Sequence, residues 1–234
     1  MRQVLISGGG SGIGLACARR LLAAGERVLF CGRNRERLEA ALRGLEAEYP
    51  GQVTARVCDV SRAADVAALG QWLRAEALPI DVLVNNAGLF VAGSLLKAEE
   101  EQAQAMWETQ VLGPWRLLKI CADPALRQGR PLRVINVISV TALKAYAACG
   151  FYGATKAALA SLMDTARAEL RDKGVGISNV YPGATETPIW GDRELDYSKM
   201  MDADAVAAAV QACADASSRA LVEELVLRPA GGDL

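Results

Sequence analysis

Apolar residues recur along the chain in two alternating rhythms. Short unbroken apolar blocks are followed by stretches in which apolar positions return at helical spacing. Residues 2–7 form the first block, and Leu15, Ala18, Leu21 and Leu22 carry the first helical pattern, which ends at Gly25. Arg27–Cys31 is a second strand, followed by a helix with Leu38, Leu42 and Leu45. Gln52–Cys58 is a third, followed by a helix over 62–76 with Val66, Leu69 and Leu73. Pro79 precedes a fourth strand, Ile80–Val84. A loop then covers 89–97 and a long helix about 98–122. That helix contains Gly113-Pro114, which is expected to bend it or break its hydrogen-bond ladder. Val134–Ile138 and Val175–Val180 flank a helix over about 151–172. Residues 188–202 have no clear period and are expected to form a short lid over a pocket. A helix at 203–216 and a strand, Leu221–Leu227, follow.

Strands that alternate with helices predict an α/β fold with a parallel sheet covered on both faces. Right-handed crossovers make it a doubly wound, Rossmann-like sheet of about seven strands, with ligands at the strand C-termini. A chain of 234 residues fits one domain of this kind, spanning 1–234.

Composition narrows the chemistry. The net charge of −1 shows no basic excess for nucleic acid or an anionic membrane. No apolar run of roughly 18 residues suggests a membrane span, and no signal-peptide layout opens the sequence, so a cytoplasmic protein is expected. The absence of histidine removes Ser-His-Asp and Cys-His nucleophiles and every histidine-ligated metal site, and no metal is expected. The six cysteines are scattered without a CxxC pair and read as reduced core residues; Cys149, near Tyr152, is read the same way.

The first strand runs into Gly8-Gly9-Gly10-Ser11-Gly12-Ile13-Gly14 and then a helix. Strand, glycine loop and helix are the context a dinucleotide site requires, because glycines admit a pyrophosphate to the backbone at a helix N-terminus. It is not a GxxxxGK[ST] loop, since Leu15 stands where lysine would be needed. After the second strand, Gly32 and Arg33 occupy the place where an acidic residue binds the ribose 2′-hydroxyl in NAD folds. An arginine there pairs with a 2′-phosphate, so NADP(H) is expected over NAD(H). Asp59 at the end of the third strand is placed to accept from an adenine amino group, or to lie in a helix-cap region with Ser61 as the cap. The fourth strand ends in Asn85-Asn86-Ala87-Gly88, small and amide residues suited to a tight turn.

The fifth strand delivers Ser139, and the helix after it carries Tyr152 and Lys156, which share a face. A lysine ammonium beside a phenol is expected to lower the tyrosine pKa. With a serine hydroxyl to hold a carbonyl oxygen, the three residues make a complete proton donor.

These residues resemble the short-chain dehydrogenase/reductase family over nearly the full length. The matches fall in the family's order: Ser7 through Gly14, Asp59-Val60, Asn85 through Gly88, Ser139, Tyr152-Gly153-Ala154-Thr155-Lys156, and Pro182-Gly183 with Thr187. The resemblance implies that the glycine loop cradles the cofactor phosphates and that Arg33 faces the 2′-phosphate. It implies that Asp59 and Val60 flank adenine, and that Asn86, Ala87 and Gly88 line the adenosine-side ribose. Tyr152 and Lys156 would hold the nicotinamide ribose, Thr185 and Thr187 would contact the carboxamide, and Pro182 and Gly183 would also bind the cofactor. Ser139 would polarise the substrate carbonyl, Tyr152 would move the proton, and Lys156 would feed a relay. The family's relay usually includes an asparagine in the long helix; here Gln110 holds that place, with the same donors and acceptors on a longer stem.

The expected function is an NADP(H)-dependent oxidoreductase that transfers hydride between nicotinamide and a small carbonyl or alcohol. Gln110 motivates an alternative, a dinucleotide-binding sensor or partner protein with impaired catalysis. An epimerase or dehydratase using the same Tyr-Lys pair would need a larger substrate domain. Leu89, Phe90, Leu143, Tyr146, Ile189 and Trp190 are expected around the substrate, and Lys144 is expected to face water. The resemblance also implies a homodimer or homotetramer formed through the helices of about 98–122 and 151–172.

Overall fold

The computed structural model describes residues 1–216 and 219–233. Its strands are β1 (Gln3–Ser7), β2 (Arg27–Gly32), β3 (Val53–Val57), β4 (Val82–Asn85), β5 (Leu132–Val137), β6 (Val175–Pro182) and β7 (Glu224–Leu227). Its α-helices are α1 (Gly12–Ala23), α2 (Arg35–Glu48), α3 (Ala63–Ala75), α4 (Glu100–Trp107), α5 (Gly113–Arg127), α6 (Gly150–Leu170) and α7 (Ala203–Asp215). The strands form one parallel sheet in the order β3-β2-β1-β4-β5-β6-β7. The expected doubly wound α/β architecture is present. Strand order reverses between β1 and β4, which opens a crevice at their C-terminal ends.

Alternation along each strand divides the core into two layers. In β1, Leu5 packs with α3, α5 and α6 through Leu69, Leu117 and Met163. Its neighbours Val4 and Ile6 point the other way, into the layer of α1, α2 and α7 with Leu21, Leu38 and Val210. The inner strands β1, β2, β4, β5 and β6 are therefore buried on both faces, which explains their apolar blocks, whereas the edge strands β3 and β7 are partly exposed. Cys17, Cys31, Cys58, Cys121 and Cys213 are buried as expected. β4 and β7 begin later than the apolar blocks suggest, because Ile80 and Leu221 lie in the connections that lead into the sheet.

The long helix expected over 98–122 is instead two helices joined by a π-helical turn, Glu108–Leu112. The Gly113 N–H donates to Glu108 O, a wider closure than an α-turn. Pro114 has no N–H to give, and its ring opposes a normal i−4 contact, so the ladder widens just before it. The second helix runs on to Arg127.

The strand ends are tied by a buried amide ladder. Asn85 donates to Asn136 at 2.9 Å, Asn136 to Asn179 at 2.9 Å, and Asn179 to Asp164 of α6 at 2.9 Å. It crosses β4, β5 and β6 just below the level at which Ser139 leaves the sheet.

Candidate active site

A cleft of about 720 Å³ lies at the C-terminal edge of the sheet. Gly8, Gly10, Ser11, Gly12 and Ile13 border it, as do Arg33, Asp59, Val60, Asn86, Ala87 and Gly88. At the other end it is bordered by Ser139, Tyr152, Lys156, Pro182, Gly183, Thr185 and Thr187. Of the expected catalytic and cofactor-binding residues, Gly14 and Gln110 do not line it, and each is held behind the wall for a visible reason.

Gly14 is a packing residue. A Cβ on it would stand 2.3 Å from Gly8 O and 2.5 Å from Asn86 Nδ2, so only glycine lets α1 approach the loop. Asn86 Nδ2 donates to Ser7 O and Gly8 O, and the Ser7 hydroxyl accepts the N–H groups of Asn86 and Ala87. The loop is thus fixed to the end of β4. Ser11 makes no side-chain cap on α1, which leaves the first N–H groups of the helix for an anion in the cleft. The glycine loop therefore fits a dinucleotide pyrophosphate.

Arg33 is exposed beside the cleft, and Arg37, in the first turn of α2, borders it too. Sequence reasoning missed Arg37; the available signal was a second arginine one helical turn from the first. Asn34 between them caps α2 by accepting from Arg37 N. Asp59 Oδ1 accepts from Ser61 N and Ser61 Oγ. Ser61 does not cap α3, whose N-cap is Arg62 without a side-chain bond, so the capping alternative is corrected.

Ser139 Oγ accepts from Thr141 N at 3.2 Å, which leaves its own proton to donate toward the cleft. Tyr152 and Lys156 share one face of α6, and Lys156 Nζ lies 5.7 Å from the Tyr152 ring centre. Lys156 Nζ donates to Val137 O at 3.0 Å. The expected lowering of the Tyr152 pKa is not what this geometry gives. Burial dominates and pushes the phenol up to about 12, with the neighbouring Ser139 hydroxyl pulling the other way. Burial also pushes Lys156 down to about 8. The phenol is therefore a proton holder at neutral pH, and the lysine is a cation close to release.

Gln110 lies in the π-helical turn, almost fully buried. Its Nε2 donates to Thr155 Oγ1 at 2.8 Å, and Thr155 Oγ1 donates in turn to Tyr152 O at 2.9 Å. Its Oε1 has no hydrogen-bond partner among the described residues and faces Gly88, where a Cβ would stand 3.4 Å away. The longer amide is thus spent on bracing the first turn of α6.

An aromatic group stands in front of Tyr152. Phe90 meets Tyr152 edge-on at 4.8 Å and Trp190 edge-on at 5.1 Å. Trp190 Nε1 donates to Thr185 O at 2.7 Å, which anchors the 188–202 segment to the site. Leu89, Tyr146 and Ile189 border the cleft as expected, whereas Leu143 is half exposed and does not. Lys144 is mainly exposed as expected, but its Nζ lies 3.9 Å from Asp233. Burial pushes the Cys149 thiol up, which suits a packing residue.

The model of the short chain dehydrogenase family matches residues 2–198. Sepiapterin reductase of Chlorobaculum tepidum is 33% identical over 241 residues, covering 99% of this chain and 97% of that protein. An uncharacterized oxidoreductase of Staphylococcus saprophyticus is 27% identical over 228 residues, covering 97% of each. Among solved structures, an alcohol dehydrogenase of Thermococcus sibiricus complexed with 5-hydroxy-NADP superposes with a TM-score of 0.90 at 30% identity. The match covers 98% of this chain and 97% of that one.

Proposed function

The chain belongs to the short chain dehydrogenase family of oxidoreductases, and from that membership we propose that it is an NADP(H)-dependent carbonyl reductase that donates its proton from Tyr152. The observation that carries this reading is that Ser139, Tyr152 and Lys156 border the same cleft as the glycine loop. A nicotinamide dinucleotide bound there supplies the hydride. The uncapped start of α1 would hold its pyrophosphate, and Arg33 and Arg37, which border the cleft, would hold a 2′-phosphate. The NADP-type ligand of the Thermococcus alcohol dehydrogenase supports the same preference.

The Ser139 hydroxyl donates to the substrate carbonyl oxygen and holds it beside the Tyr152 phenol. Tyr152, protonated at neutral pH, gives that oxygen its proton as negative charge develops there. Lys156, fixed to β5, holds the cofactor ribose and places its positive charge behind the phenol as the phenolate forms. Phe90 and Trp190 present an apolar wall to the substrate body and keep water from the reacting carbonyl. The place of the family's asparagine is taken by Gln110, which acts on α6 through Thr155.

The test is consumption of NADPH and NADH against a broad carbonyl panel, with Tyr152→Phe as control. Turnover that favours NADPH and is lost in the variant is expected. Tight dinucleotide binding with no turnover across the panel would overturn the reading.

We also infer self-association through α4, α5 and α6. Trp107, Trp115 and Phe151 leave large apolar surfaces exposed on these helices. Sedimentation equilibrium should give a dimer or tetramer mass, and a monomer at micromolar concentration would reject it.

A further inference from the structure

The last described residues of the chain return to the mouth of the cleft. The Gly183 N–H donates to Leu227 O at 2.8 Å, and the buried Pro229 packs on Gly183, where a Cβ would stand 2.9 Å from its ring. A tight turn follows, closed by Gly232 N donating to Pro229 O at 2.9 Å, with Gly232 at φ 97°. That turn sends Asp233 back across the opening, where it borders the cleft together with Tyr146.

Asp233 lands among cations. The Tyr146 hydroxyl and Arg228 Nη1 both donate to its carboxylate, and Lys144 Nζ lies 3.9 Å away. Arg228 Nη1 also donates to the Tyr146 hydroxyl at 3.1 Å. The Arg193 guanidinium sits 5.0 Å from the Phe90 ring centre. The Tyr146 hydroxyl and Arg228 hold the Asp233 carboxyl below the usual carboxylate range, so it is charged at neutral pH. These side chains are partly exposed, and exposed ion pairs open readily in water. Asp233 is thus a carboxylate tethered by a short turn in a place that would equally receive a carboxylate from solution.

We propose that Arg228, Lys144 and the Tyr146 hydroxyl form an anion-recognition site at the substrate mouth, held by Asp233 until a carbonyl substrate bearing a carboxylate displaces it. The preferred substrate then has an apolar or aromatic body against Phe90 and Trp190 and an anionic end at Arg228. This rests on the carbonyl-reductase reading and adds the substrate class to it.

The test pairs 4-formylbenzoate with its methyl ester, which differ in the charge and not in the aldehyde. Binding of each is measured by titration calorimetry to protein saturated with NADP⁺, and turnover is measured separately with NADPH. In Asp233→Asn, the affinity ratio of acid to ester should rise roughly five- to tenfold over the parent protein. Adding Arg228→Leu to Asp233→Asn should abolish the gain. An unchanged ratio in Asp233→Asn, or a gain that survives the loss of Arg228, overturns the proposal and makes Asp233 a simple brace. Binding that follows the expected pattern, with no turnover of either compound or of any carbonyl in the broad panel, leaves the anion site standing and refutes the reductase reading. Turnover of both with one ratio in all variants does the reverse.

Discussion

Lys156 Nζ is held 3.0 Å from Val137 O, on the strand that leads directly to Ser139. The tether fixes the lysine to the sheet and takes it out of water, and the cost of that burial appears in its pKa. Below pH 8 both folded and unfolded chains carry the proton, and the folded state bears a buried charge. Between about 8 and the ordinary 10.5 the folded protein releases the proton while the unfolded chain keeps it. The unfolded state then binds more protons, so stability rises with pH. Urea unfolding should show the parent gaining up to about 3 kcal/mol relative to Lys156→Met across that window. Parallel pH profiles for the two proteins would show that the lysine is not desolvated.

The raised Tyr152 pKa sets a direction for the chemistry. Carbonyl reduction uses the protonated phenol, which persists to about pH 12. Alcohol oxidation uses the phenolate, so its rate should climb with pH from 7 to 10 while reduction shows no such climb. Tyr152→Phe should lower kcat for reduction by about 10²–10⁴-fold, the usual contribution of a positioned general acid. Steady-state pH profiles in both directions check this.

Gly14→Ala should damage folding rather than chemistry alone. The added carbon would meet Gly8 O and Asn86 Nδ2 at 2.3 and 2.5 Å, and the first of these is backbone that cannot swing aside. A loss of about 1–3 kcal/mol is expected from such overpacking, read by thermal or urea unfolding without cofactor.

The proposed 2′-phosphate contacts of Arg33 and Arg37 predict a divided cofactor preference. Each charge-assisted contact to a phosphate contributes about 1.5–3 kcal/mol, so Arg33→Ala and Arg37→Ala should each weaken NADPH binding by roughly tenfold or more. NADH lacks the 2′-phosphate and should bind either variant as it binds the parent. Fluorescence titration of the two cofactors separates the cases.

Gln110→Met distinguishes a brace from a proton path. The substitution keeps the volume and removes a buried oxygen that has no partner, while Thr155 Oγ1 still donates to Tyr152 O. Stability should therefore change by less than about 1 kcal/mol. A bracing role predicts a modest fall in kcat. A fall as deep as that of Tyr152→Phe would place the amide in the proton path itself.

The sheet was legible because its inner strands are buried on both faces and its helices on one, so the two periodicities stay distinct along most of the chain. Ser139, Tyr152 and Lys156 were legible because a strand end and one helical turn suffice to juxtapose them. Their electrostatics were not, since the burial that shifts them is tertiary: Phe90, for one, meets Tyr152 from a distant loop. Arg37 was hidden because its relation to Arg33 depends on how α2 leaves the sheet. The contact of Tyr146 with Arg228 and Asp233 joins parts of the chain that local spacing does not relate.

The widened turn at Glu108–Leu112 also has a meaning for chain length. It accommodates one residue more than a continuous α-helix would need between α4 and α5. Deleting a single residue there would let the ladder close into an ordinary helix, and everything before the deletion would rotate by about 100° relative to α5. Met106, now buried, would leave its place, and α4 would present another face to α6. The turn thus acts as a phase adjuster, in which one inserted residue sets the facing of α4 without altering the fold around it.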